Sequence, residues 1–268
     1  MPVKTKIHKT AVVSSGAVLG KGVEIGPYSV IGPHVKIGDR TRVKNHVVLE
    51  GHTTIGSDCE IFHGACLGAK PQDKKYQEGK SSLEIGHENV IREYVTMHPG
   101  SAPGKKTVIG DRNFFMVASH VGHDCRIGND VVMANGTALS GHVVIEDRAV
   151  LGGMSGVHQF CRVGKLAMVG AMSKVVMDVL PFSVCDGHPA KFCGVNSIGL
   201  RRAGYTSKQV LDVKKALKVL VASGVKLSAA MDRIRTEMKN NPDATSLVRF
   251  CEAASRGVSR GALSEDEP

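Results

Sequence analysis

The residues best suited to chemistry lie in Ser119-His120-Val121-Gly122-His123-Asp124-Cys125, where two imidazoles and a carboxylate fall within five positions. An imidazole titrates near neutral pH, and a carboxylate beside it can fix its tautomer, so His123 next to Asp124 suits general base catalysis. Further along come Gly141-His142 and His158-Gln159. The cluster offers no evident nucleophile of the Ser or Cys hydrolase kind. Direct transfer, with His123 activating a substrate hydroxyl, is therefore favoured over a covalent acyl-enzyme. An oxyanion formed in such a transfer needs a donor, and the backbone N–H of Gly141 is well placed by spacing. Tight metal binding is disfavoured, because no Cys joins the cluster and no carboxylate except Asp124 is near in sequence.

What must position these residues is a repeat. From Ile7, every sixth residue is apolar: Val13, Leu19, Ile25, Ile31, Ile37 and onward to Val175. Of 29 positions in that phase, 23 are Ile, Leu or Val and three more are Met or Phe. Six is neither a helical period nor simple alternation. It fits a short strand and a tight turn, with the aliphatic residue inward and Gly easing the bend. Such hexads are the signature of a parallel β-helix, in which stacked coils bury a continuous core. Three hexads complete one triangular coil. Strict hexads of this kind resemble the left-handed family, an exception to the usual right-handed crossover. Stacking then places Gly141 one coil beyond His123, and Gln159 two coils beyond. His120, His123, His142, His158 and Gln159 gather along one edge of the prism.

The phase breaks at Asp73, Gly79 and Pro103, marking two excursions at roughly 70–83 and 101–108 that preserve the register. Loops projecting from a rigid scaffold are where function concentrates. After Pro181 the repeat stops. Residues 182–200 read as an irregular connecting segment, and helical spacing occupies 201–260. Thr206/Ser207 should cap a first helix that ends at Gly224. A second is expected from about Ser228 to Asn240, stopped by Asn241-Pro242, and a third from about Thr245 to Arg256. The acidic tail, 261–268, reads as disordered. The chain is thus a β-helix over 1–181 followed by a small helical domain.

The net charge of +10 is uneven, since residues 201–260 hold 13 Lys/Arg against five Asp/Glu. A surface of that kind attracts an acidic partner. Nucleic acid is disfavoured, as no aromatic interleaving or recognised motif accompanies the charge. An acidic carrier protein or a phosphorylated substrate fits the balance equally. The seven cysteines are odd in number and form no CxxC pair. Cys59, Cys125 and Cys161 share one phase of the repeat and read as small buried side chains in a reducing compartment. With no signal peptide and no apolar run of membrane-spanning length, the expected location is the cytoplasm.

Over almost its whole length, helical end included, the chain resembles the bacterial UDP-N-acetylglucosamine acyltransferases, the first enzymes of lipid A biosynthesis. The motifs that carry the resemblance are Gln72-Asp73, Ser119 to Cys125, Gly141-His142, Gly152-Gly153 and Val157-His158-Gln159-Phe160-Cys161. The resemblance implies a left-handed β-helix homotrimer with sites between subunits. It implies transfer of a 3-hydroxyacyl group from acyl carrier protein to the glucosamine 3-position of UDP-N-acetylglucosamine. No cofactor is implied, because the phosphopantetheine thioester is a substrate. By the same resemblance His123 is the base, Asp124 its orienting partner and Gly141 the oxyanion donor. Asp73 and His142 match sugar-contacting positions, and Gln72, Lys75, His120, His158 and Gln159 line the cleft. Asn196 and Arg202 match nucleotide-binding positions. Ala171, often Gly in the family, and Gly153 match the acyl-chain pocket. Ile198, Ala203 and Pro189 depart from the family's Glu, Arg and His, which bears on nucleotide contacts and acyl length.

Three other readings are weaker. The related N-acyltransferase of the same pathway carries a uridine-binding domain before its β-helix, whereas here the hexads begin at Ile7. A β-helix carbonic anhydrase would use interfacial His₃ zinc, and the Gln72-Asp73 loop argues against it. A non-catalytic scaffold leaves the histidine edge unexplained.

Overall fold

The structure, a computed structural model, describes residues 4–261. From Lys6 to Val175 the chain visits three sheets in turn, and successive rungs of each sheet are parallel. Most strands are two residues long. The first coil pairs Lys6 with Glu24 and Ile7 with Ile25, each partner lying three hexads further along the chain. The result is a left-handed β-helix.

One residue of each two-residue strand points inward, and from Ile25 onward that hexad position is buried: Ile31, Leu49, Ile61, Met97, Phe115 and Leu139 are fully enclosed. Burying each such side chain contributes roughly 1.5–3 kcal/mol, repeated coil after coil. Ile7 remains 49% exposed, because the first coil has a stacked neighbour on one side only among the described residues. Small polar side chains close the corners. The Thr41 hydroxyl donates to Gly56 O at 2.8 Å, and Thr137 donates to Gly152 O at 3.0 Å. Many corners also hold a residue in the left-handed backbone region, including Asp124 and His142, each at φ 62°.

The two excursions leave the prism at one edge, between the second and third sheets. Ile55 pairs with Ile85, five hexads on, and Ile85 with Ile109, four hexads on. Both insertions therefore add whole hexads and keep the inward phase. They bond to each other: Gln77 N–H donates to Ser101 O at 3.1 Å and Gly104 N–H to Lys80 O at 2.9 Å.

The segment after Pro181 is more regular than its sequence suggested. An antiparallel hairpin of Ser183–Gly187 and Ala190–Val195 closes the end of the first sheet. A short helix, α1 (Ser197–Arg202), follows, with Asn196 as its N-cap. Helix α2 (Ser207–Val221) begins at a capping box of Thr206 and Gln209. Helix α3 spans Leu227–Glu237. Helix α4 runs Pro242–Glu252, starting and ending earlier than its apolar pattern suggested. Asn241-Pro242 acts as a start here. The Asn241 side chain accepts from Asp243 and Ala244 N–H, and Pro sits at N1, where a missing N–H costs nothing. Residues 262–268, where a disordered tail was expected, lie outside the described residues. Among the described residues no helix is long and apolar enough to cross a membrane.

Candidate active site

The edge between the second and third sheets carries His123, and above and below it stand residues brought there by the coil offset alone. Asp124 follows His123 with φ 62°, and this left-handed turn swings the carboxylate back onto the preceding ring. His123 Nδ1 lies 2.8 Å from Asp124 Oδ2. Since a carboxylate oxygen accepts, Nδ1 carries the proton and Nε2 offers its lone pair to the cleft. The cleft holds about 420 Å³ and is lined by His98, His120, His123, Gly141, Gln159 and the loop residues Gln72 to Lys75.

Asp124 is held from two further directions. The Ser101 N–H, from the second excursion, donates to Oδ2 at 3.0 Å, and His142 Nε2 stands 3.7 Å away. Burial pulls the Asp124 carboxyl upward, but the bonds from His123 and Ser101 outweigh it and hold its pKa below the usual value. Asp73 reaches in from the first excursion, with Oδ2 3.8 Å from His123 Nε2. Burial, with His98 and His123 close by, holds the His120 pKa down, and its Nδ1 lies 2.8 Å from the Thr96 hydroxyl.

Gly141 lies directly beneath the His123 ring. A Cβ built there would come within 2.4 Å of His123 Cε1 and 2.5 Å of Nε2, so only Gly leaves the imidazole where it is. Among the described residues the Gly141 N–H donates to no backbone acceptor. His142 packs edge-on against His123, ring centroids 5.2 Å apart, and stacks on Phe160 at 4.7 Å.

Other singled-out residues stand apart from this cleft. His158 is exposed beside Gln159, its Nδ1 3.3 Å from an Arg256 nitrogen. Asn196 is buried: its Oδ1 caps α1 and its Nδ2 donates to Leu166 O at 2.9 Å. Arg202 is exposed at the end of α1. Gly153 and Ala171 share a column on the edge between the first and second sheets, so one chain does not bring them to His123. Pro189 sits in the turn of the terminal hairpin.

Sequence reasoning passed over His98, Thr96 and Ser101. A signal for His98 existed, since the four-hexad offset of that coil places it opposite Gly122. Ser101 contributes only its backbone, which no residue pattern reveals.

The geometry gives Cys125, the thiol beside Asp124 in the chain, no role as a nucleophile. Cys125 is buried with its sulfur 3.2 Å from Ser140 O, and burial pushes its pKa up to about 12. His123, Asp124 and His142 have donor atoms within 4.8 Å of one another, but a cation there would have to displace the His123–Asp124 hydrogen bond. A larger groove, about 890 Å³ between α2 and α3, is lined by Lys215, Lys218, Arg233 and Lys239, with Asp212 and Glu237, and contains no His. Cations outnumber the carboxylates there, so it offers charge for docking, and no imidazole is paired with its carboxylates as His123 is with Asp124.

A hexad coil with a carboxylate-oriented histidine over a bare glycine defines a hexapeptide-repeat acyltransferase. Residues 4–38 and 16–51 match the bacterial transferase hexapeptide model, and 178–259 match domain 2 of UDP-N-acetylglucosamine O-acyltransferase. An acyl-[acyl-carrier-protein]–UDP-N-acetylglucosamine O-acyltransferase of Thermodesulfovibrio yellowstonii is 46% identical, covering 95% of this chain and 99% of that one. The crystal structure of the UDP-N-acetylglucosamine O-acyltransferase of Moraxella catarrhalis is 35% identical, with TM-score 0.90 over 95% of this chain and 99% of the other. The Arabidopsis UDP-N-acetylglucosamine acyltransferase is 33% identical, with TM-score 0.85 over 95% and 100%. The chain belongs to the acyl-[acyl-carrier-protein]–UDP-N-acetylglucosamine O-acyltransferase family.

Proposed function

We propose that the protein transfers a 3-hydroxyacyl chain from acyl carrier protein to the 3-hydroxyl of UDP-N-acetylglucosamine, the first step of lipid A biosynthesis, in the cytoplasm. The observation that carries the mechanism is the 2.8 Å bond from His123 Nδ1 to Asp124, which leaves Nε2 as an acceptor facing the cleft. Nε2 takes the proton of the sugar hydroxyl as its oxygen attacks the thioester carbonyl. The carbonyl oxygen becomes an oxyanion, for which the Gly141 N–H is the donor; one such donor is worth about 10²–10³ in rate. Collapse breaks the C–S bond, and the departing thiolate takes the proton back from Nε2. Asp73 and His142 orient the sugar, with Gln72, Lys75, His120 and Gln159 around it.

The positions of Gly153 and Ala171 support a homotrimer. They lie on a different edge from His123, so an acyl groove joining them requires a neighbouring copy. Asn196 and Arg202 are assigned to the nucleotide, Asn196 through the turn it caps. Among the described residues Lys214, Lys215, Lys218 and Lys239 have no carboxylate partner, and this basic face suits the acidic carrier protein. The test is His123→Ala. Turnover should fall at least ~10²-fold, the lower end of general base contributions, while the trimer still forms on a sizing column. Activity within tenfold of wild type removes His123 from the role.

A further inference from the structure

His98 has no part in the mechanism above, yet it is 5% exposed and lines the cleft. Its Nδ1 lies 3.0 Å from Ala69 O. A carbonyl oxygen only accepts, so Nδ1 holds the proton and Nε2 is left with a lone pair. That Nε2 is buried with no hydrogen-bond partner. An unpaired buried acceptor costs stability, so a residue needed for packing alone would be better served by an apolar ring. The imidazole is explained by what Nδ1 does.

Ala69 is the root of the first excursion. The far half of that loop is pinned by backbone bonds, Gln77 to Ser101 and Lys80 to Gly104. The near half carries Gln72, Asp73 and Lys75. Its hydrogen bonds are otherwise internal, as in Lys75 N–H to Asp73 Oδ1 at 2.8 Å and Tyr76 N–H to Asp73 O at 3.1 Å. Among the described residues, the bond from His98 is the hydrogen bond that ties residues 69–76 to the β-helix. The near half is also the part that approaches the base, through Asp73 at 3.8 Å from His123.

We propose that His98 is a positioning residue for acyl transfer: its Nδ1–H latches the root of the loop, and so seats Gln72, Asp73 and Lys75 over the sugar. The kinetic part rests on the function proposed above, whereas the latch itself does not. Latching should act mainly on sugar-nucleotide affinity, because the near half of the loop meets the substrate while Asp124, which orients His123, is held by the Ser101 N–H.

Two amides separate the roles of the two nitrogens. In His98→Asn the amide nitrogen falls where Nδ1 was and can still donate to Ala69; in His98→Gln it falls near the Nε2 position and misses. Limited trypsin digestion of the folded protein reads the loop directly, since Lys74 and Lys75 are exposed there. We expect His98→Gln to be cut in the loop about tenfold faster than wild type and His98→Asn at close to the wild-type rate, the loss of one buried hydrogen bond being worth roughly that factor. In steady state, His98→Gln should raise KM for UDP-N-acetylglucosamine about fivefold to tenfold with kcat little changed, and His98→Asn should restore it. Equal behaviour of Asn and Gln, or a Gln variant as trypsin-resistant as wild type, overturns the latch. A released loop with unchanged KM overturns the positioning role. Absence of acyl transfer by the wild type would sink the function while leaving the digestion comparison intact.

Discussion

Replacing Gly141 by Ala tests the site more sharply than deleting any of its side chains. The substitution keeps the backbone N–H and introduces one methyl. That methyl would stand 2.4 Å from His123 Cε1, 2.5 Å from Nε2 and 3.0 Å from Nδ1, against an ordinary contact of at least 3.4 Å. The imidazole must therefore move by roughly 1 Å, a misplacement that typically costs about 10² in rate. The backbone there is not in the left-handed region, so no conformational strain is added. The ring is the far end of a side chain that borders the cleft, and it can yield by swinging outward. Doing so loosens its bond to Asp124, a charge-assisted bond worth about 1.5–3 kcal/mol. Expected outcomes are kcat lower by about 10²-fold, equivalent to ~2.7 kcal/mol in the barrier, with KM for both substrates within a few-fold. The melting temperature should drop by no more than several degrees, since overpacking by one methyl costs about 1–3 kcal/mol. The double variant with His123→Ala should be no slower than His123→Ala alone, because both remove the same function. Steady-state transfer from 3-hydroxyacyl carrier protein, with thermal melts of all three variants, measures this. Activity of Gly141→Ala within threefold of wild type would refute the stacking argument.

Three further outcomes are expected. Ala171 places a methyl where Gly is common in the family, so the wild type should prefer an acyl chain shorter than fourteen carbons and Ala171→Gly should lengthen the preference, apolar pockets discriminating one methylene by roughly 10–200-fold; wild-type preference for fourteen carbons in a mixed-carrier assay read by mass spectrometry would refute it. The basic helical surface should make kcat/KM for acyl carrier protein fall steeply with salt, and charge reversal at Arg202 should hurt more than at Lys239; a flat salt profile contradicts docking by charge. Burial, with His98 and His123 nearby, holds the His120 pKa below 6.5, so the unfolded chain binds the proton first as pH falls. Stability should therefore rise with pH across the window just below 6.5 and be lost on acidification through it, and His120→Gln should flatten that dependence in melts at several pH values; equal slopes would show that His120 does not contribute. Asp124, whose pKa is lowered, loses its contribution only as pH falls through a value below 3.8, outside that window.

The period of six was enough to read the coil, its core and the stack of His123, Gly141 and Gln159. A repeat is local information: each hexad places its aliphatic residue inward whatever its neighbours do, and a constant offset of three hexads turns spacing into vertical alignment. The capping of α2 by Thr206 was legible for the same reason, since a cap and its helix are adjacent in the chain. What the sequence left open depended on contacts across the insertions. Ser101 reaches Asp124 and His98 reaches Ala69 from distant points of the chain, through two excursions whose mutual pairing follows no period. Asn241-Pro242 could end one helix or begin the next, and the buried face of α4, with Leu247, Val248 and Phe250, decided for the latter. The separation of Ala171 from His123 is likewise a property of the closed prism. Both positions follow a strand by the same interval, and only the assignment of strands to sheets puts them on different edges, where one chain alone cannot join them.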